Sequence, residues 1–297
     1  MKNSSPDGFR SHLIPVSVIL IAIVAIWYMA AFFMNAPFQR DLDRRGNVSS
    51  TTIELIGKTM VQPKPVLPAP HQVAVNVFEN TMMRSVTSSR SLIYHGWVTL
   101  SSTVVGFAFG TLLGILIAVG IVHVKALDRS LMPWIIASQT VPILAIAPMV
   151  VVVLGAINIT GLVPKALIST YLSFFPVAVG MVKGLRSPEL IQLDLMRTYN
   201  ASASQTFWKL RVPASIPYLF TSMKVAIAAS LVGAIVGELP TGAVAGIGSK
   251  LLAGSYYSQT IEIWAALIVG SLLAAALVAI IGLIGRLVDR SMGGRAV

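Results

Sequence analysis

Residues 183–213, KGLRSPELIQLDLMRTYNASASQTFWKLRVP, are the one long polar interruption in the apolar second half of this chain. Apolar runs flank the stretch on both sides, so it belongs at one face of a membrane. Its composition is not that of a loose connector. Ser187-Pro188-Glu189 predicts a helix start: a hydroxyl cap, a proline in the first turn where its missing N–H costs nothing, and an acidic residue at the positive helix end. Ile191, Leu195 and Tyr199 follow at spacings of four and make one apolar stripe on a short helix. Asn200 stands where a left-handed C-cap falls, a conformation Asn tolerates. Ser202 or Ser204 can cap a second short helix through Phe207, Trp208 and Leu210, which Val212-Pro213 is expected to end. A helix–turn–helix exposing Ile, Leu, Tyr, Phe and Trp at a membrane face needs cover. Two kinds are available: a protein partner, or lipid headgroups with Lys209 and Arg211 snorkelling.

Composition sets the class. The chain has 297 residues, is 55% hydrophobic and carries only 11% charged residues, with a mean hydropathy of +0.80. Soluble domains carry about 25% charged residues, so this is an all-α polytopic membrane protein. The absence of cysteine excludes disulfides and thiol chemistry. The formal charge of +11 is spread over span ends rather than clustered, which suits anionic lipid and not nucleic acid.

Six spans are expected. The first is Leu13–Met34, preceded by Lys2 and Arg10; a signal peptide would be shorter and end differently from Ala30-Ala31. Residues 35–94 follow as a connector on the outer side. It is charged at Arg40–Arg45 and extended through prolines 63, 65, 68 and 70, and an amphipathic helix is expected around Val73, Val77, Phe78 and Met82. The second span, Gly96–Val122, repeats Ser102, Gly106, Gly110 and Gly114 every four residues, a groove for a close helix neighbour. The third, Leu131–Leu154, contains Pro133, Pro142 and Pro148 and reads either as a bent helix beside a pathway or as a kinked packing helix. The fourth, Leu162–Val182, has Lys165 snorkelling at its outer end and a break at Pro176. The fifth is Ala214–Gly237 and the sixth Ile261–Leu287. Between them lies the glycine-rich stretch 241–258, expected to be a re-entrant or external loop. Lys and Arg gather at the two ends and in segments 123–130 and 183–213, against Lys165 and Lys250 alone in the short outer segments; the basic excess of the connector runs the other way, but a loop of about 60 residues weighs little in the positive-inside rule. By the positive-inside rule both ends and the 183–213 loop face the cytoplasm.

The spacing of the loop resembles the EAA loop of ABC importer permeases. In that family Glu-Ala-Ala is followed by three residues, Gly, nine residues, Ile, one residue and Leu-Pro. Here Asp194-Leu195-Met196, Asn200, Leu210 and Val212-Pro213 occupy those places, while the two alanines are replaced and Asn stands for Gly. Leu67-Pro68-Ala69-Pro70, Gln139-Thr140-Val141-Pro142 with Ala147-Pro148, and Gly246-Ile247-Gly248 also resemble the nitrate, sulfonate and taurine branch, and the likeness covers roughly residues 67–288. The resemblance implies a coupling helix that docks into a groove of a cytoplasmic ATP-binding subunit through Glu189, Asp194, Leu195, Met196, Asn200, Leu210 and Pro213. It also implies a periplasmic solute-binding protein, a second permease subunit in a homodimer, and residence in the bacterial cytoplasmic membrane. On this reading the chain divides into residues 1–34 (tail and first span), 35–94 (connector), 95–288 (permease core with coupling loop 183–213) and 289–297 (cytoplasmic tail).

Enzyme chemistry finds no support in the residues. The four histidines are scattered and lack an H-E-x-x-H pattern, so no metal site is expected. Gly248-Ser249-Lys250 has the wrong order for a phosphate loop, and Gly246-Ile247-Gly248 lacks the third glycine of a dinucleotide fold. No cofactor is expected; ATP would be bound and hydrolysed by the partner subunit. Candidates for the translocation pathway are Glu238, Gln139, Pro142 and Lys224. Glu238 faces either the pathway or the headgroup rim; Lys224 snorkels, pairs within the bundle, or binds an anion. The favoured function is the permease of an importer for a small organic or anionic solute. The alternatives are a permease of the same type for a pyrimidine or riboflavin vitamin precursor, an ion-coupled secondary transporter, and a membrane scaffold.

Overall fold

The computed structural model describes residues 7–47, 50–240 and 244–292, with side chains from residue 14 onward. Lys2, Arg295 and residues 241–243 of the glycine-rich stretch, used in the charge and loop arguments, lie outside the described residues. The described chain is helical throughout, in two compact units: residues 1–91 with 251–268, and residues 92–250 with 269–297.

The first unit is built on α1 (Asp7–Arg45), which continues well past Met34 through the charged cluster and through both Pro15 and Pro37. The first span is therefore longer than composition predicts, because charge alone does not end a helix that has partners. Asn35, fully buried, grips the proline-rich connector: its Nδ2 donates to Leu67 O at 2.8 Å, while its Oδ1 accepts from Val66 N–H at 2.8 Å. Trp27 Nε1 donates to Pro68 O at 3.0 Å, and its ring packs 4.9 Å from Trp264. Farther along α1, Asp43 accepts from Ser50 Oγ (2.7 Å) and Lys58 Nζ (3.1 Å). The connector thus holds two further helices, α2 (Thr52–Met60) and α3 (Pro70–Phe78), the latter running into a π turn at Glu79–Met83. In α3 Val73 is buried while Phe78 and, in the π turn, Met82 are exposed, which gives an amphipathic element in the expected place.

The second unit begins with α4 (Leu92–His123), α5 (Lys125–Ser138), α6 (Ile143–Ala156) and α7 (Leu162–Leu185). The expected third span is not one helix: α5 and α6 meet at a 95° bend across residues 139–142. Each holds 14 residues, about 21 Å at ~1.5 Å per residue, which is short of a ~30 Å hydrocarbon core. Pro142, with its fixed φ and no N–H, sits at the N-cap of α6 and enforces the break. The described residues thus include five helices long and apolar enough to cross a membrane, or six if the bent pair counts as one span. By contrast α7 runs unbroken through Pro176, so that proline does not interrupt its span.

The small-residue face of α4 packs on α7. A Cβ at Gly106 would fall on Ser169 and 2.7 Å from Ala166 O; one at Gly114 would lie 2.7 Å from Phe174 O. Backbones approach this closely only where side chains are absent, which is the use predicted for the four-residue glycine repeat. The chain then passes through α8 (Leu190–Thr198), α9 (Ala203–Thr206), a π turn at Phe207–Arg211, α10 (Val212–Gly237), α11 (Ile247–Tyr256) and α12 (Thr260–Ser291). Much of the glycine-rich stretch is therefore helix α11 rather than loop.

Candidate functional site

Two features of the second unit, at opposite ends of α7, have the character of working surfaces. At the C-terminal end is the 183–213 handle. Its first helix is capped by Glu189 and not Ser187: the Glu189 N–H donates to Gln192 Oε1 at 3.1 Å, while Ser187 Oγ donates back to Gly184 O at 2.7 Å. Pro188 restricts the residue before it, which pushes the start two residues later. At the other end of α8, Asn200 has φ +51, its N–H donates to Arg197 O, and the Ala201 N–H donates to Met196 O at 2.9 Å. This six-to-one and five-to-two pattern is a Schellman turn, which closes the carbonyls a helix end leaves open. Ser202 then caps α9, with Ser202 Oγ accepting from Gln205 N–H at 3.2 Å and Gln205 Oε1 accepting from Ser202 N–H at 2.9 Å.

Val212-Pro213 does not end that second helix. Through the π turn the Val212 N–H bonds to Phe207 O, one residue farther back than in an α-helix. Widening the turn ahead of Pro213 accommodates a ring that would otherwise strike the preceding carbonyl, and the chain continues as one helix from Ala203 to Gly237.

The handle's outer face is apolar and bare. Leu190 is 80% exposed, Ile191 73%, Leu195 55%, Tyr199 77% and Trp208 65%. Asp194 is exposed and pairs with Arg197 at 3.0 Å on the same helix; Glu189 is exposed as well, while Met196, Leu210 and Pro213 are half-buried. The inner side is braced. Phe207 is buried among Ala118, Ile121, Met181 and Leu185, with its ring 4.7 Å from that of His123. Arg211 donates to Leu185 O at 3.1 Å, and Arg186 pairs with Asp128 of α5 at 2.9 Å.

At the N-terminal end of α7 lies a buried polar knot. Glu238 has no exposed surface. Its carboxylate accepts from Gly248 N–H at 2.9 Å and lies 2.9 and 3.0 Å from Thr99 Oγ1. Thr99 Oγ1 in turn accepts from Ile247 N–H at 2.8 Å, and His95 Nδ1 accepts from Gly246 N–H at 2.9 Å. Three orphan N–H groups at the start of α11 are thereby satisfied, with a carboxylate at the positive helix end. Lys165 completes the knot: only 8% exposed, it donates to Ala245 O at 2.8 Å and stands 3.6 Å from Glu238. It does not snorkel, because its counter-charge lies inside the protein. Gly246, at φ +131, rests on the Glu238 carboxylate where any Cβ would collide. A cavity of about 560 Å³ opens beside the knot, lined by Tyr94, Val98, Ser101, Val151, Val152, Thr160, Lys165 and Ala245. Glu238 stands behind this wall and does not itself line the cavity.

The remaining expected pathway residues are apart from that cavity. Gln139 and Pro142 are exposed at the α5–α6 bend, and Lys224 is an exposed residue of α10 lying along Gly282 of α12. Thr99 and Lys165 were not legible as partners of Glu238, since 139 residues separate Thr99 from Glu238; the available signal was a carboxylate close before a Gly-x-Gly.

A bundle of long apolar helices that presents a braced apolar handle at one end and, at the other, a largely apolar cavity beside a buried polar knot is the build of a membrane permease worked by a partner. Residues 110–294 match the family described as the binding-protein-dependent transport system inner membrane component, and the chain belongs to that family. It is similar to the formylaminopyrimidine transport permease protein ThiX of Halalkalibacterium halodurans, 31% identical over 186 residues, covering 62% of this chain and 69% of that one. It is also similar to the riboflavin transport system permease protein RibX of Chloroflexus aurantiacus (28% over 225 residues; 76% and 80%). The putative aliphatic sulfonates transport permease protein SsuC of Bacillus subtilis is 24% identical over 216 residues (73% and 74%). The chain is thus the multi-pass permease subunit of a binding-protein-dependent ABC importer in the bacterial cytoplasmic membrane. Such a system is completed by ATP-binding and solute-binding proteins.

Proposed function

We propose that two copies of this chain form the pathway of an ATP-driven importer for a small organic solute, that ATP is bound and hydrolysed only on a separate subunit, and that residues 183–213 are where that subunit takes hold. The chain itself then needs no cofactor. The observation that carries the reading is the exposed stripe of Leu190, Ile191, Leu195 and Tyr199 on a helix whose exit is locked by the Asn200 turn and whose root, Phe207, is buried. Exposed apolar surface of this size on a braced element suits a groove on a folded partner. Glu189, Asp194, Leu195, Met196, Asn200, Leu210 and Pro213 are the residues assigned to that contact, and Gln139, Pro142, Lys224 and Glu238 to the translocation pathway. Permeases for formylaminopyrimidine and riboflavin among the relatives favour an organic ring solute, and the sulfonate relative keeps an anionic solute in view. The test is solute-stimulated ATP hydrolysis and uptake in liposomes, with the permease, its ATP-binding subunit and its solute-binding protein reconstituted together. Uptake that proceeds without the ATP-binding subunit would refute the reading in favour of an ion-coupled carrier.

A further inference from the structure

The cavity beside the polar knot has a charge balance that selects among solutes. Among the described residues its one ionic wall residue is Lys165, and the carboxylate that answers it, Glu238, is fully buried 3.6 Å behind. With Lys165 as the ammonium and Glu238 as the carboxylate, the pair has no net charge. The Lys165 ammonium carries three donors; Ala245 O takes one at 2.8 Å, and Glu238 lies toward a second. One donor remains for the cavity. The hydroxyls of Ser101 and Ser102 are spent on their own helix, donating to Val98 O at 2.7 Å and Thr99 O at 3.0 Å, so they offer lone pairs only. Tyr94 supplies an aromatic face, and Val98, Val151 and Val152 are apolar.

We infer that this cavity is a solute-binding site within the permease for an uncharged planar heteroaromatic ring that offers a carbonyl acceptor to Lys165 and a ring N–H to the serine oxygens. The volume of about 560 Å³ lies in the range of small-molecule sites. A fully ionised sulfonate or nitrate would lose its hydration to an apolar wall with no net positive charge to replace it. The inference rests on the proposed role as an importer of organic solutes and narrows it to neutral rings.

The test uses the full-length permease in lipid nanodiscs and two fluorescent probes of similar size. Lumichrome is an uncharged ring system with carbonyls and ring N–H groups; naphthalene-2-sulfonate is a flat anion. Wild-type protein is expected to bind lumichrome saturably and naphthalene-2-sulfonate not at all. Ser101→Trp, which fills the cavity, is expected to weaken lumichrome binding at least tenfold. Glu238→Gln leaves Lys165 without its counter-charge and is expected to reverse the preference, gaining sulfonate binding. Equal or tighter sulfonate binding by the wild type overturns the inference. So does lumichrome binding unchanged in Ser101→Trp, which would assign the signal to the bilayer, and so does the absence of saturable lumichrome binding, which would leave the cavity to lipid tails. The Asn200→Pro variant separates this from the handle: it is expected to lose ATP-driven uptake while still binding lumichrome.

Discussion

Two identical substitutions on one helix should have opposite effects. Gly96 and Gly114 both lie in α4, yet an alanine Cβ at Gly96 meets nothing within 4 Å, whereas at Gly114 it meets Phe174 O at 2.7 Å, Val177 Cβ at 2.9 Å and Ala178 N at 3.0 Å. Carbon sits comfortably about 3.5–4.0 Å from its neighbours, so α4 and α7 must part by roughly 1 Å to admit the methyl group. Two of the three obstructing atoms are backbone, and no rotamer change clears them. Overpacking of this kind costs about 1–3 kcal/mol. At Gly96 the same change removes a glycine from a helix interior and gains up to about 1 kcal/mol. The two variants should therefore differ by roughly 2–4 kcal/mol, read as a difference of several degrees in the thermal unfolding of the purified permease. Gly110→Ala is the intermediate case, since part of what it strikes is the Ser173 side chain, and Ser173→Gly should recover part of its loss. Gly114→Ala melting at or above the wild-type temperature would refute the close approach of α4 to α7 and the reasoning built on it.

Three further outcomes follow from the handle and the knot. Asn200→Pro removes the N–H that closes the turn and cannot adopt φ +51, a local cost of about 3 kcal/mol or more; Asn200→Gly should be tolerated. Membrane insertion, measured by fractionation, should survive Asn200→Pro and Asp194→Ala, while liposome uptake and its coupled ATP hydrolysis should be lost; normal transport by both variants would remove the docking assignment. Glu238→Ala leaves Lys165 buried without its counter-charge and should cost about 3–5 kcal/mol, whereas Glu238→Met with Lys165→Met should restore most of the melting temperature. Arg186→Ala breaks a half-exposed pair with Asp128 and should change stability by no more than about 1 kcal/mol; a larger loss would mean that the pair is less hydrated than its exposure indicates.

Where local chemistry decides the outcome, the sequence was a sufficient guide. The glycine face of α4, the left-handed Asn200 and a serine cap on the second handle helix, which falls on Ser202 of the two serines on offer, are each set by a few neighbouring residues, and all three stand in the structure. Proline was the uneven signal. Pro142 breaks a helix because nothing compensates its missing N–H at the bend, but Pro176 is carried within α7 and Pro213 within a helix whose preceding turn has widened. The local rule cannot foresee that compensation, because it is made by hydrogen bonds several residues away. Lys165 and Glu238 were not legible as a pair for a related reason. Each was weighed alone against the membrane, and only tertiary packing of α4, α7 and the start of α11 makes them partners.

The widened turn at Phe207–Arg211 also acts as a registration mark. It inserts one residue into an otherwise continuous helix, so the direction in which the handle points and the direction in which the far end of α10 points are fixed relative to each other by that single insertion. Winding the same residues as a regular α-helix would swing everything downstream by about 100°, the share of one residue in a turn. A handle grafted from one permease to another would then dock correctly and still turn the wrong face of its helix inward, unless the wide turn formed again with its extra residue.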